Sequence, residues 1–519
     1  MLLRKRLNQF QRHDAILMAA RYVCAGKDVS STVVTTTLDT TTIENTQIEP
    51  KSLKYMPEPK GLPFIGTLLD YTFLKKFDKT NLASHFIGRH QLLGPIYKEY
   101  VFPAFSKPQV FSTLPDDNEV LLRSEEKISH REPVEFVVSA RKLLGWSIGL
   151  PFDVGEDWYK LRKVVNQHFL KNSIVWSHSK QQHEVAEEFV DYIGQNLDEN
   201  NEVPHFQDLL QKWALESTAV FCFGVRLGVF DKSVDDDLNI IIDTNRKKFE
   251  LIMKGIFSAP LWKFYNTKLM KKFNKVQIEQ LHAIRRQQIK AFTEFPVDQK
   301  LIDLYNLFET SNLTKNEIEV LIIDLLSGGV DTTSNSAVFV LYLLSINPDK
   351  QEILRKEILE ALKIGKTDGK DLMRMSYLHA CVLESQRLLP FSIGTNRRYS
   401  KDIVLSGYKI PAGTVVTMTS NIINNCSEEY FDDPNSFKPE RWIQVDNKAK
   451  DRMRFAMAGS FGHGTRACPG RKFALQEMKY LLISVLSRYK VEYHYKPMKI
   501  NFLLVSTPSQ PPRFTFKQL

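Results

Sequence analysis

The residues best placed to do chemistry stand in one short stretch, Phe461-Gly462-His463-Gly464-Thr465-Arg466-Ala467-Cys468-Pro469-Gly470. Glycine and proline at this density make a tight, irregular loop. A helical pattern follows at once, from Lys472 to Tyr489. Cys468 is therefore placed just before a helix N-terminus, where unpaired N–H groups and the positive dipole end favour a thiolate. A thiolate is a strong axial ligand for haem iron and pushes electron density toward O–O cleavage. In that chemistry Arg466 would meet a haem propionate, and Gly464 would let backbone approach a flat cofactor. The competing reading is a structural cysteine buried in a glycine turn.

Three other groups invite a chemical reading. Gly328-Gly329-Val330-Asp331-Thr332-Thr333, continued by Ser334 and Asn335, breaks a long apolar helix with a polar patch. Buried polar groups cost free energy unless bonded, so the break suggests a function. An acid beside an alcohol, Asp331 and Thr332, is a compact proton relay; the same hydroxyls can instead back-bond to helix carbonyls. Glu384 and Arg387, at i,i+3, share a helix face and can pair. Trp158 and Arg162, at i,i+4, also share a face and by themselves read as a cation–π pair.

Together these stretches resemble the cytochrome P450 superfamily, with every fixed position of its haem-binding signature present between Phe461 and Gly470. The supporting motifs occur in the family's order and span most of residues 57–519. The resemblance implies haem b with the Cys468 thiolate as axial ligand, contacted by the loop residues Phe461, Gly464 and Arg466. It implies that Trp158 and Arg162 reach one propionate and that Arg398 meets a propionate too, with Arg397 as the competing choice. It makes Asp331 and Thr332 the catalytic pair that delivers protons to dioxygen. It gives Glu384, Arg387 and Arg441 (in Pro439-Glu440-Arg441-Trp442) a structural role, locking the loop before the cysteine. The implied activity is that of a haem-thiolate monooxygenase. A haem-thiolate isomerase or dehydratase is the nearest rival, but such enzymes often lack the alcohol that Thr332 supplies. A non-catalytic haem carrier or sensor would not need the Asp331–Thr332 pair.

Within that family the chain resembles the mitochondrial branch of animal members, on its basic leader, the Gly-Gly-Val-Asp-Thr-Thr form of the helix motif and the ending Leu503-Leu504-Val505. That branch implies electrons from a small acidic ferredoxin, with Arg471 and Lys472 at the branch's paired basic positions. One departure is that His379 and Leu383 stand where the branch usually carries docking lysines. The implied substrate is apolar, a sterol or steroid; Ile393-Gly394-Thr395 and a Ser-Gly hairpin faintly resemble the ecdysteroid-making members. A xenobiotic or fatty acid is the alternative. The implied location is the matrix side of the mitochondrial inner membrane, with peripheral membrane association, and the endoplasmic reticulum is the alternative.

These residues must be positioned by elements that the hydrophobic period predicts. Helical patterns cover 115–126, 154–170, 181–198, 206–223, 236–253, 274–293, 315–346, 349–363 and 372–389. The 315 helix opens with Thr314 and Glu317 in capping-box spacing and stops before Pro348. Ile403 to Ile410 reads as a hairpin on a Ser-Gly turn, and extended patterns recur near 491–505 and 513–517. The expected fold is mainly α with a small β portion, the haem lying between the long central helix and the helix after the cysteine loop. The resemblance implies pocket-lining stretches near 126–152, 225–265, 322–336, 391–395 and 503–508, which carry Phe136, Trp146, Phe257, Phe391 and Leu504.

A chain of 519 residues suggests three domains by length alone. The motifs from Trp158 to Cys468 must converge on one cofactor, however, so the expected division is a leader over 1–50 and one domain over 51–519. Five cysteines exclude a disulfide framework, and 46 glycines and prolines exclude a collagen or low-complexity chain. Arg4, Lys5, Arg6, Arg12, Arg21 and Lys27 against Asp14, then a Thr-rich run, give the leader the look of an organellar transit segment. No run of 18 apolar residues predicts a membrane span. The net charge of +10 lies mostly on the folded part and is scattered; with no zinc-finger spacing and no aromatic-basic RNA motif, an acidic protein suits it better than nucleic acid.

Overall fold

A helix of 32 residues, Lys315–Ile346, runs through the middle of the molecule, about 48 Å at 1.5 Å per residue. Its start is the expected capping box: the Thr314 hydroxyl accepts from the Glu317 N–H, and the Glu317 carboxylate accepts from the Thr314 N–H. The fold is taken from a computed structural model, which describes residues 49–72, 81–101, 107–230, 235–294, 311–419, 427–443, 460–503 and 505–519, with positions 446, 451, 453 and 455. Residues 1–48 of the expected leader and Leu504 lie outside these residues.

In chain order the α-helices among the described residues are α1 Leu68–Thr72, α2 Leu82–Leu93, α3 Pro115–Arg123, α4 Glu135–Leu143, α5 Gly155–Phe169, α6 Asn172–Ser177, α7 Ser179–Gln195, α8 Phe206–Phe223, α9 Asp236–Ile256, α10 Lys268–Glu294, α11 Lys315–Ile346, α12 Pro348–Lys363, α13 Ser376–Leu388 and α14 Arg471–Arg488. The expected helices match well at 206–223 and 315–346. The pattern at 181–198 belongs to α7, which begins at Ser179 after the separate short α6. The helix expected over 372–389 is shorter, because a 3₁₀ turn, Asp371–Met373, precedes it. Helices α2 and α4 were not expected; α2 buries His85 and Arg89 beside Ala83, Phe86 and Ile87, which hides its apolar period.

The small β portion is also present. A four-stranded sheet runs in the order β2 Ile96–Glu99, β3 Gln109–Ser112, β7 Val415–Met418, β4 Thr395–Arg398. The expected hairpin, β5 Ile403–Leu405 and β6 Tyr408–Ile410, turns at Ser406 and Gly407, both at positive φ, and β1 Lys51–Ser52 pairs parallel to β6. Near the C-terminus β8 Tyr489–Glu492 pairs with β11 Thr515–Gln518, and β9 Ile500–Phe502 with β10 Ser506–Pro508.

Helix α11 is apolar on nearly every side because α8, α12, α13 and α14 enclose its C-terminal half. Val338, Val340 and Leu341 share one core cluster with Trp213 of α8, Leu354 of α12, Leu378 of α13 and Leu482 of α14. The N-terminal half, with Leu321, Ile322 and Leu326, shares a second cluster with Trp158 and Val165 of α5 and Phe473 of α14. Both helices that carry the expected chemistry, α11 and α14, are thus fixed in the same core.

Candidate active site

The cysteine loop closes on itself before α14 begins. The Cys468 N–H donates to the Phe461 carbonyl at 2.7 Å, and Gly464–Arg466 form a 3₁₀ turn between them. Gly464 sits at φ +71° with the Glu125 carboxylate packed against it; a Cβ there would lie 1.7 Å from Glu125 Oε2. The positive φ and the carboxylate of Glu125 thus both require glycine at 464. Cys468 is partly exposed. Burial pushes its thiol up, opposed by backbone N–H groups of Gly470 and Arg471 and by the charges of Arg162 and Arg471. Helix α14 starts at Arg471, three residues on, so the helix end only moderates the rise. Binding a metal ion is what deprotonates a coordinating thiol outright.

Around the loop four arginines converge. Arg466 lies over the Trp158 ring, its Cζ 3.7 Å from the centroid, and donates to the carbonyls of Ser129 and Asp153. Arg162 donates to the Ala467 carbonyl at 2.7 Å, while its Nε is buried without a partner. Arg397 reaches the His463 carbonyl and Glu125. Arg131 completes the group electrostatically. Burial first, then Arg131, Arg397 and Arg162, push the Arg466 guanidinium down to about 9; burial and Arg397 push Arg131 down to about 10. Glu125 faces three of them: it accepts from Arg397 Nε at 2.5 Å, Ser129 Oγ at 2.6 Å and the Thr465 N–H at 2.6 Å, and its charge acts on Arg162 and Arg466, while Asp153 also faces Arg466. Four positive charges meet the carboxylates of Glu125 and Asp153, a surplus that a desolvated site holds only at a cost.

Arg397 and Arg398 change places relative to expectation. Alternation along β4 buries Arg397 and exposes Arg398. Arg398 points outward to Glu132, whereas Arg397 is 2% exposed and meets the loop. Arg131 and Glu125 were missed. The signal for them was a cluster, Glu125-Glu126-Lys127 and His130-Arg131-Glu132, packed into a non-helical stretch before Pro133.

The other wall is α11. Leu325, Gly328, Gly329, Thr332 and Ser336 recur at spacings of three and four, and they form the one partly exposed stripe in the middle of an otherwise buried helix. Thr332 Oγ donates to the Gly328 carbonyl at 2.6 Å. That uses its single proton and leaves its lone pairs to accept. Asp331 is on a neighbouring flank. Its carboxylate accepts from Gln211 Nε2 at 2.7 Å and Asn245 Nδ2 at 2.9 Å, and burial pushes it up to about 6. It borders a cavity of about 940 Å³ between α11, α9 and the C-terminal strands, whose apolar lining includes Phe249, Met253, Phe257 and Leu503. Of the expected pocket residues, Phe257 lines this cavity. Phe136 instead packs in a core cluster with Trp262 and Phe273.

The structural cluster is present in full. Arg387 donates to both oxygens of Glu384, Arg441 Nε donates to Oε1 at 3.0 Å, and Trp442 Nε1 donates to Oε2 at 2.8 Å. Burial would raise the Glu384 pKa, but Arg387 and Arg441 outweigh it and hold the carboxylate below its usual range.

The family model for Cytochrome P450 matches residues 56–516. The chain belongs to the cytochrome P450 family. Among the similar curated proteins, Cytochrome P450 10 of Lymnaea stagnalis is 30% identical over 90% of this chain and 86% of its own length. The mitochondrial cholesterol side-chain cleavage enzyme of Rattus norvegicus is 29% identical over 91% and 89%. The mitochondrial 1,25-dihydroxyvitamin D(3) 24-hydroxylase of the same species is 27% identical over 89% and 88%. This cytochrome P450 is therefore an oxidoreductase of the haem-thiolate monooxygenase type, and its cofactor is haem with a cysteine thiolate as axial ligand. The residues here fit that cofactor: a cysteine beside a ring of arginines with surplus positive charge, one of them with an unpartnered buried Nε, suits a thiolate-ligated iron in a dianionic macrocycle. No helix among the described residues is long and apolar enough to cross a membrane.

Proposed function

We propose that this cytochrome P450 hydroxylates an apolar substrate of sterol or steroid size in the mitochondrion, with electrons from a ferredoxin. Cys468 is the thiolate ligand, Arg131, Arg162, Arg397 and Arg466 hold the propionates, and Trp158 supports Arg466 from below. The observation that carries this assignment is the group of four arginines around the cysteine loop, only partly balanced by Glu125. The bound haem supplies dioxygen activation and the oxidising equivalents for C–H hydroxylation.

The chain's own residues position and protonate. Thr332, its proton already given to Gly328, accepts a hydrogen bond on the cofactor face of α11. Asp331, with a pKa of about 6 and access to the cavity, changes protonation near neutral pH and can pass protons inward from solvent there. Phe249, Met253, Phe257 and Leu503 give the cavity its apolar character and exclude water from a bound ligand. The volume and the names of the mitochondrial relatives support a sterol-like ligand.

For the electron donor, Arg471 is exposed, but Lys472 Nζ is tied to the Leu170 carbonyl and the Asn172 side chain. Arg471 is therefore the better docking contact of the two, and electrostatic docking predicts a rate that falls with ionic strength. His379 and Leu383, both partly exposed on α13, offer no lysine there.

The reduced, carbon monoxide-bound absorption spectrum tests the ligand: a thiolate-type Soret band in the wild type and its loss in Cys468→Ala are expected, and its survival in the variant rejects the assignment. Turnover with a mitochondrial ferredoxin and its reductase, weakened by salt and by Arg471→Glu, tests the partner; turnover only with the microsomal flavoprotein reductase rejects it. Asp331→Asn is expected to lower turnover by about 10²-fold. Because the folded-state pKa of Asp331 is raised, its contribution to stability is lost as pH rises from about 4 to about 6. Thermal melts of Asp331→Asn should therefore lose part of the decline that the wild type shows over that window; identical declines would contradict the raised pKa.

A further inference from the structure

A further arginine is buried away from the group around the cysteine loop, and the chain leads from it back to that group. Arg141 of α4 is 2% exposed. It forks onto Asp324 of α11: Nη1 donates to Oδ2 at 3.0 Å, and Nη2 donates to Oδ1. Its Nη1 also donates to the Ile148 carbonyl at 2.6 Å, its Nε reaches Gln277 Oε1 of α10 at 3.5 Å, and its Cζ lies 5.3 Å from the centroid of the Phe152 ring. Lys248 of α9 feels both charges of this pair but donates elsewhere, to Gln280 Oε1 and Ser327 Oγ. A bidentate arginine–carboxylate pair fixes direction as well as distance.

The backbone that Arg141 holds continues into a tight turn. Gly149 takes φ +81°, and a Cβ on it would lie 2.1 Å from Asp324 Oδ2 and 2.2 Å from Arg141 Nη1. The ion pair is thus packed against bare backbone, which only glycine provides. The Gly149 carbonyl accepts from the N–H groups of Phe152 and Asp153 at 3.2 and 2.9 Å. At the end of the turn the Asp153 carbonyl accepts from Arg466 Nη2 at 3.0 Å, and the Ser129 carbonyl accepts from Arg466 Nε at 2.9 Å. Arg466 therefore takes its orientation from both ends of one excursion of the chain, residues 129–153, which Arg141 ties to α11 from within. Asn316 of α11 makes a second tie, to the Ser147 N–H and the Gly145 carbonyl, at an exposed place.

We propose that Arg141 is a positioning residue for Arg466: its ion pair with Asp324 fixes the turn from Ile148 to Asp153, and the Asp153 carbonyl then aims the Arg466 guanidinium at a haem propionate. The proposal rests on the reading of Arg466 as a propionate ligand. Bonds from Nε and Nη2 to two carbonyls set the plane of that guanidinium, and its remaining N–H groups are what a propionate would meet. Arg141 and Asp324 are neutral as a pair. Removing both should therefore change the field at the cofactor little by itself, and any change at the haem reports where Arg466 has gone.

The test uses the holoenzyme, with the thiolate-type Soret band of its carbon monoxide complex verified first. Arg466→Gln is the reference. It should lower the haem reduction potential, because it removes a positive charge that favours the ferrous state. It should also move the propionate-bending band of the resonance Raman spectrum and speed haem transfer to apomyoglobin by about tenfold. Arg141→Met combined with Asp324→Leu replaces the pair with apolar side chains, which buried pairs commonly tolerate. It should shift all three readouts in the same direction and by less, and in a double-mutant cycle it should add nothing to Arg466→Gln, since both act through one guanidinium. An unchanged potential and Raman band in the pair replacement, or effects that add to those of Arg466→Gln, overturn the proposal and leave Arg466 a propionate ligand. No effect of Arg466→Gln overturns the reading beneath it and the proposal with it. Should the pair replacement fail to retain haem, Arg141→Lys keeps the charge but cannot hold Asp324 and the Ile148 carbonyl together, and should shift the potential and the band in the same direction. Asn316→Ala, which loosens only the exposed tie, should leave both where they are. A normal potential in Arg141→Lys, or an equal shift in Asn316→Ala, overturns the proposal equally.

Discussion

Two arginine–carboxylate clusters flank the cysteine loop, and they differ in how their charge is balanced. In the first, Glu384 sits between Arg387 and Arg441, and the spare donors find the carbonyls of Pro434, Ser436, Asp432 and Asp433. In the second, Glu125 faces Arg162, Arg397 and Arg466, and the arginines crowd: Arg131, Arg397 and Arg162 depress Arg466, and Arg397 depresses Arg131. The first is closed: it is satisfied by the chain itself. The second is open: it is complete only with further negative charge. The contrast separates a cluster that shapes the loop from one that binds at it, although both look like buried ion pairs when residues are counted.

Variants can break or sharpen this contrast. The largest effect is expected for Arg387→Ala, which leaves Glu384 buried with one arginine. Breaking a buried pair costs about 3–5 kcal/mol, so little folded protein should be recovered with or without haem; a variant that melts like the wild type would refute the closed description. Next is Glu125→Gln, which removes the carboxylate paired with Arg397 in the open cluster. It should cost about 3 kcal/mol in the haem-free protein and distinctly less once the propionates are present, as paired thermal melts would show. An equal cost in both states would mean that the arginines do not hold the cofactor. Arg466→Gln should act in opposite directions: haem affinity falls by about tenfold or more, the worth of one hydrogen bond to a charged group, while the haem-free protein loses no stability because like-charge repulsion is relieved. Haem-loss rates and apoprotein melts measure the two. The smallest effect, about 0.5 kcal/mol or less, belongs to Arg398→Ala, since its pair with Glu132 is half exposed; a haem-binding defect there as large as that of Arg397→Ala would reverse the assignment of the two neighbours.

The difference between those neighbours also marks where sequence reading reached its end. The helices over 206–223 and 315–346 were legible from the length of their apolar runs and, in the second, from the capping box at Thr314 and Glu317, since both are buried on nearly every side. The cysteine loop was legible because its glycines and proline permit little else. Arg397 against Arg398 was not, since strand phase is set by pairing with β7, in register Arg397 to Val416, and nothing local to the chain fixes it. Glu125 and Arg131 lie 343 and 337 positions before Cys468 in a non-helical stretch, where no period relates them to the site. Thr332 was legible as a polar break in an apolar helix; that its proton is committed to Gly328 needed coordinates.

That commitment makes the central threonine an asymmetric contact. Anything that reaches it from the cofactor face meets a lone pair and never a free O–H, so a ligand's hydroxyl or protonated amine gains a bond at this point and a ketone or ether oxygen gains none. The orientation of any molecule that docks against Thr332 should therefore be sensitive to which end carries its hydrogen-bond donor, a bias imposed by one carbonyl a single helical turn away.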